Sequence, residues 1–154
     1  MKKFDKGALL PDQDSVIRHV SPSRLRRDED GNILGFLPQA FALRDGEDSL
    51  SVNWSGIYDG NRDASTKEVI WELRTANDIK KNSAFGIGNV GTIKEVCKNN
   101  GATVKIVYDP RKRILSHSLI RNLPRNNPEL LDTLANDVFC DRVLNAEVEE
   151  QSEP

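Results

Sequence analysis

The chain is short of several features that would name a function outright. No stretch approaches the roughly 18 consecutive apolar residues of a membrane helix, and Ala8-Leu9-Leu10, the apolar run behind the early lysines, stops at Pro11. Neither a signal peptide nor a membrane anchor is expected. Cysteine occurs twice, as Cys97 and Cys140. They lie far apart in segments that read as helical and form no CxxC pair. Two lone thiols without a secretion signal predict reduced packing residues of a cytoplasmic protein rather than a disulfide. No Cys/His set has zinc spacing, no acidic cluster has calcium spacing, and neither GxSxG nor a P-loop occurs. No metal and no cofactor is therefore expected. A basic excess is also missing: 22 Lys and Arg stand against 24 Asp and Glu, for a net charge of −2. A dedicated duplex-DNA binder draws most of its affinity from phosphate neutralisation and carries the opposite balance.

What is present is the composition of a folded domain. Of 154 residues, 37% are apolar and 30% charged, enough for one hydrophobic core. Residues 1–13 lack periodicity and read as a flexible N-terminal arm. Residues 146–154 hold four glutamates and no basic residue, and read as an acidic disordered tail. Between them, residues 14–145 show no repeat and no break in composition, which predicts one domain.

Val16 to Val20 is a β-rich run ended by Ser21-Pro22. Ser23 to Arg27 allows one helical turn, and Asp30-Gly31-Asn32 signals a turn. Ala40 to Leu43 and Leu50 to Trp54 read as two strands joined across residues 44–48. In the second, Leu50, Val52 and Trp54 alternate with Ser51 and Asn53, giving one apolar and one polar face. Ser65 with Glu68, and Thr92 with Glu95, read as capping boxes. The first would open a helix burying Val69, Ile70, Leu73 and Ala76; the second, a short helix closed by Gly101. Ala102 to Tyr108 is β-branched and closes at Asp109-Pro110. Asn127 caps a last helix with Pro128 at its first position and a stripe of Leu131, Leu134, Ala135, Val138 and Phe139, continuing to Val143. Strands cluster early and helices late. The expected class is α+β, with a mixed or mainly antiparallel sheet of about four to five strands packed with about three helices.

Several segments compete as sites. Gly86-Ile87-Gly88-Asn89-Val90-Gly91 spells GxGxxG ahead of a helix, the order of a dinucleotide fingerprint. However, residues 79–85 do not make the apolar strand that a parallel sheet requires, so the plainer reading is a glycine-rich strand and bend that lets backbones pack closely. His19 and His117 are the chain's two histidines. Each stands at a short strand, beside hydroxyls, with Arg18 and Arg24, or Arg111, Arg113 and Arg121, nearby. Two imidazoles over one phosphate supply a general base and a general acid, while Arg24 or Arg113 clamps the charge. The alternative for each is a structural histidine. Arg111, Lys112, Arg113, Arg121 and Arg125 make a basic segment over residues 109–125, suited to phosphate, RNA or an acidic protein, or simply a solvated loop. The acidic tail is a candidate to fold back on it. Asn53 reads as a turn residue, and Trp54, Tyr58 and Trp71 as packing residues.

The H-x-[ST] pattern of His19-Val20-Ser21 resembles the opening strand of ADP-ribosyltransferase-like folds and implies nucleotide chemistry, although the later tyrosine and glutamate of that pattern have no counterpart here. The stretches His19-Val20-Ser21-Pro22-Ser23, Leu50-Ser51-Val52-Asn53-Trp54 and Ser116-His117-Ser118 are similar to short uncharacterised bacterial proteins. That likeness implies an accessory protein of bacterial operons, of defence or mobile-element type. The first functional expectation is thus a small accessory module docking to a protein partner. The second is an enzyme that processes nucleotide or RNA phosphates through His19 and His117, and the third a non-catalytic RNA- or nucleotide-binding protein.

Overall fold

The structure, a computed structural model, describes residues 4–152; the outermost residues of the expected arm and tail, 1–3 and 153–154, lie outside the described residues. Strands β1 (Ser15–Val20), β4 (Ser49–Trp54), β5 (Ala84–Asn89), β6 (Lys105–Tyr108), β7 (His117–Arg121) and β8 (Asp141–Leu144) form one sheet in the order β6-β7-β4-β1-β5-β8. Every paired neighbour in it is antiparallel. Strands β2 (Leu25–Arg27) and β3 (Ile33–Phe36) form a separate hairpin. Helices α1 (Arg62–Ala76), α2 (Val90–Asn99) and α3 (Pro128–Thr133) complete the α+β fold. The six-stranded sheet, with its two-stranded companion, exceeds the four to five strands expected. No described helix is long and apolar enough to cross a membrane.

The glycine-rich segment is a strand, as its plainer reading has it. β5 is Ala-Phe-Gly-Ile-Gly-Asn, and glycine weakens strand propensity. Its glycines serve packing instead: a β-carbon on Gly86 would lie 2.7 Å from Phe36 Cε2, and one on Gly88 2.9 Å from Phe139 Cε1. The aromatic rings occupy the space those side chains would need. Because β5 is antiparallel to both β1 and β8, the GxGxxG segment has no parallel βαβ setting. β8 replaces the continuation of the last helix to Val143: α3 passes into a π-helical turn, Leu134–Val138, and the chain then extends.

The helix starts differ from the expected capping boxes. Asn61 Oδ1 accepts from the Ala64 amide at 2.8 Å and Asn89 Oδ1 from the Thr92 amide at 2.9 Å. Ser65 and Thr92 therefore lie inside the first turns. An asparagine three residues ahead does the same work as a serine or threonine cap. Asn127 does cap α3, accepting from Leu130 N at 3.1 Å, with Pro128 following. The expected strand at Ala40 to Leu43 is instead a 3-10 turn, Pro38–Phe41, led by proline. Cys97 is buried in α2, whereas Cys140 is exposed between the π-helical turn and β8.

One face of the sheet buries Val16, Val20, Leu50, Val52 and Trp54 with Phe36, Phe41, Phe139 and the apolar sides of α2 and α3. The other buries Ile17, Phe85 and Ile87 under Val69, Ile70 and Leu73 of α1. Residues 7–10, assigned from sequence to a loose arm, run along β6: Gly7 N donates to Tyr108 O, Tyr108 N to Ala8 O, and Leu10 N to Ile106 O. Backbone groups of an edge strand need partners, and this segment supplies them. Residues 145–149 lie on α1 rather than on the basic loop, with Trp71 and Arg74 both donating to Glu149 O.

Candidate functional site: one cavity under two histidines

His19 near the end of β1 and His117 at the start of β7 line the same cavity, of about 370 Å³, together with Arg18, Arg24, Arg44, Ser51, Asn53, Asp78 and Arg111. The topology brings them together. β4 lies between β1 and β7, with Ile17 opposite Asn53 and Asn53 opposite His117. Strand alternation places Ile17, His19, Ser51, Asn53 and His117 on one face. The covering helix α1 ends at Ala76, so its apolar stripe roofs the β5 side of this face. Past Leu73 the floor is polar and open.

The β1–β4 ladder registers the two pairs Val16↔Trp54 and Ile17↔Asn53. Beyond them the Arg18 guanidinium spans the gap, donating to Ser51 O at 2.8 Å and to Ala40 O at 3.0 Å. Burial, with the Arg44 and Arg24 charges adding to it against Glu47, lowers its pKa to about 10. Arg18 therefore stays charged at neutral pH. Arg24 is fixed by donation to Gln39 O at 2.6 Å. Four arginines and one carboxylate, Asp78, line the cavity; Asp109 Oδ2 stands 3.7 Å from Arg111 Nε and Glu47 acts on Arg18, and the remaining positive excess favours an anion.

His117 is the better-held imidazole, with its side chain 6% exposed. Its Nδ1 lies 2.9 Å from Asp109 O and 3.1 Å from Asp109 Oδ2, and its Nε2 lies 3.3 Å from Ser51 Oγ. Both Nδ1 neighbours are acceptors, so Nδ1 carries the proton and Nε2 offers its lone pair. Burial, with a contribution from Arg111, lowers the His117 pKa below its ordinary value against the pull of Asp109. The strand start is anchored from α1: Glu72 accepts from Leu115 N at 3.0 Å, from Ser116 N at 3.1 Å and from Ser116 Oγ at 2.5 Å, and also from the Tyr58 hydroxyl. Asn53 Nδ2 donates to Ser116 Oγ at 3.1 Å, so Asn53 is a mid-strand anchor rather than the turn residue expected.

His19 is half-buried against the Phe85 ring, 5.5 Å between centroids. Its Nε2 is buried without a hydrogen-bond partner among the described residues. Burial, then the Arg18 charge, lowers its pKa.

Of the basic residues expected at a phosphate site, Arg24 and Arg111 line the cavity. Lys112, Arg113 and Arg121 do not. Lys112 and Arg113 project at the tip of the 109–116 turn, and Arg121 stands at the far end of β7 from His117. Arg125 donates to the backbone at Arg44 and Glu47. Sequence reading missed Ser51, Asp109 and Arg44 as site residues. The alternation of Ser51 and Asn53 with apolar neighbours was the legible signal for the first, whereas Asp109 looked like an ordinary turn residue before Pro110. Among the described residues no group of three or more His, Cys, Asp or Glu is arranged to hold a metal ion. No protein-family model, curated protein or solved structure matches the chain, so the chemistry is argued from the geometry.

Proposed function

We propose that this cavity binds and processes a phosphate ester, of the kind carried by a nucleotide or an RNA end, with Arg18, Arg24, Arg44 and Arg111 as the anion-holding groups and His117 as the proton acceptor. The observation that carries this reading is the convergence of both histidines and four arginines on one cavity. Its volume of about 370 Å³ falls at the small end of the roughly 300–1,000 Å³ range of ligand sites, which suits a mononucleotide-sized group. Guanidinium groups suit phosphate because their fork of donors matches its oxygens. His117 is neutral with Nε2 free to accept, the state a general base needs.

Calorimetric titration with inorganic phosphate and with mononucleotides tests the reading. Each charge-assisted hydrogen bond is worth about 1.5–3 kcal/mol, so Arg24→Gln and Arg111→Gln are each expected to weaken binding about tenfold or more. Affinities unchanged in both variants would remove the phosphate site. A second reading, a non-catalytic surface for RNA or an acidic partner, draws on the exposure of Arg111, Lys112 and Arg113 at one turn. It predicts that Lys112→Ala/Arg113→Ala abolishes association with single-stranded RNA while leaving mononucleotide binding intact.

A further inference from the structure

We infer that Ser51 is a nucleophile, activated by His117 and positioned with the help of Asp109, and that the phosphate ester passes through a covalent phosphoserine intermediate; this rests on the phosphate reading above. The three residues form one chain of contacts: Ser51 Oγ lies 3.3 Å from His117 Nε2, and His117 Nδ1 is hydrogen-bonded to the Asp109 backbone O at 2.9 Å, with Asp109 Oδ2 3.1 Å from the same nitrogen. Nucleophile, base and orienting carboxylate in that order are what activates a hydroxyl that is otherwise weak at neutral pH. The spacing at Ser51 is slightly long, as is common before a substrate tightens the contact.

The surroundings favour chemistry over a merely satisfied core histidine. Asp109 is 13% exposed at its side chain, so the His–Asp contact is screened from water. Asp109 is also tied back to the same histidine through its own backbone, N to His117 O at 2.9 Å. Ser51 lies within β4, paired with Leu119 of β7, and faces the cavity with His117. The Arg18 guanidinium, held on the Ser51 and Ala40 backbone carbonyls, lines the same cavity and adds positive charge to it.

The step balances without any further reagent. Ser51 Oγ attacks phosphorus, its proton passes to His117 Nε2, and the P–O bond to the leaving group breaks. The leaving oxygen takes that proton from Nε2 and departs as a hydroxyl. Water then attacks the phosphoserine, giving its proton to Nε2, and Ser51 Oγ leaves and recovers a proton from Nε2. The sum is hydrolysis of one phosphoester bond by one water. Asp109 is a positioning residue: its backbone O holds the tautomer, its carboxylate faces the imidazolium that forms, and neither touches a reacting atom.

The test uses the full chain and diisopropyl fluorophosphate, which traps the first step because Oγ–P forms as P–F breaks and fluoride leaves. Peptide mass spectrometry is expected to place the adduct on Ser51 in the native protein and to find none there in Ser51→Ala. Asp109→Asn keeps the backbone acceptor that holds the tautomer but removes the charge facing the imidazolium, and is expected to slow labelling about tenfold or more. The labelling rate of the native protein is expected to rise with pH through the titration of His117, and in Asp109→Asn to rise at lower pH, because the carboxylate that raises the His117 pKa is gone. Inorganic phosphate binding, measured on all three proteins, reports whether the cavity is intact. Phosphate binding without an adduct on Ser51 would overturn the nucleophile and leave the phosphate site standing. An adduct on Ser51 in a protein with no affinity for phosphate would keep the nucleophile and overturn the substrate class.

Discussion

The two faces of the six-stranded sheet are built from the same strands and do opposite things. On one face, Phe36 and Phe139 pack onto Gly86 and Gly88, with Phe41 stacked on Phe139 at 4.7 Å, and apolar side chains fill the interior. On the other, the α1 stripe of Val69, Ile70 and Leu73 covers Ile17, Phe85 and Ile87 and then stops. Ser51, Asn53 and His117 beyond it are polar and tied to one another or to the 109–116 turn. The contrast teaches that along β4 stability and chemistry are separated by strand alternation: Leu50, Val52 and Trp54 fill the core, and Ser51 and Asn53 face the site.

That separation can be broken first on the filled face. Phe139→Ala, which removes a fully buried ring, is expected to cost about 3–5 kcal/mol, read as the shift in urea midpoint. Gly88→Ala adds one methyl 2.9 Å from the Phe139 ring, and the forced repacking is expected to cost about 1–3 kcal/mol. On the polar face, Ser51→Ala removes one hydrogen bond to a histidine and is expected to change stability by only about 0.5–1.5 kcal/mol. A loss as large as that of Phe139→Ala would show that the polar face is structural as well.

The histidines sharpen the comparison through pH. Burial is the leading cause that holds both below their ordinary value of 6.5. The unfolded chain therefore takes up these protons first. Stability is full above about pH 6.5 and declines as the pH falls through that value toward the lower folded ones. His19→Gln is expected to flatten the fall between about pH 7.5 and about pH 5.5 in chemical denaturation, and an unchanged slope would mean that His19 does not titrate differently on folding. The smallest effect is expected at Arg121→Gln, exposed at the far end of β7. There stability should stay within about 0.5 kcal/mol and mononucleotide affinity should not move.

How much of this was legible varied with the range of the interaction. The cap at Asn127, the turn at Gly31 and the alternation of β4 depend on near neighbours, and all three could be read along the chain. The glycine-rich strand at Gly86 and Gly88 could be read too, but not that the rings of Phe36 and Phe139 are what pack against it. The loose ends were misleading for the same reason. Polar termini lack periodicity, yet residues 7–10 find free strand edge on β6, and Glu149 meets Trp71, Arg74 and Lys67 of α1.

For the site, residue types alone singled out His19, His117, Arg24 and Arg111, because few side chains can move a proton or hold a phosphate. The chain order by itself determined the α+β class and the two-faced character of β4. Only the tertiary structure decided that β4 stands between the two histidine strands, that Ser51 meets His117, and that Asp109 is a partner rather than a turn. Those choices depend on strand order, and strand order is set by which distant surfaces bury each other best, a sum over the whole core that no local pattern contains.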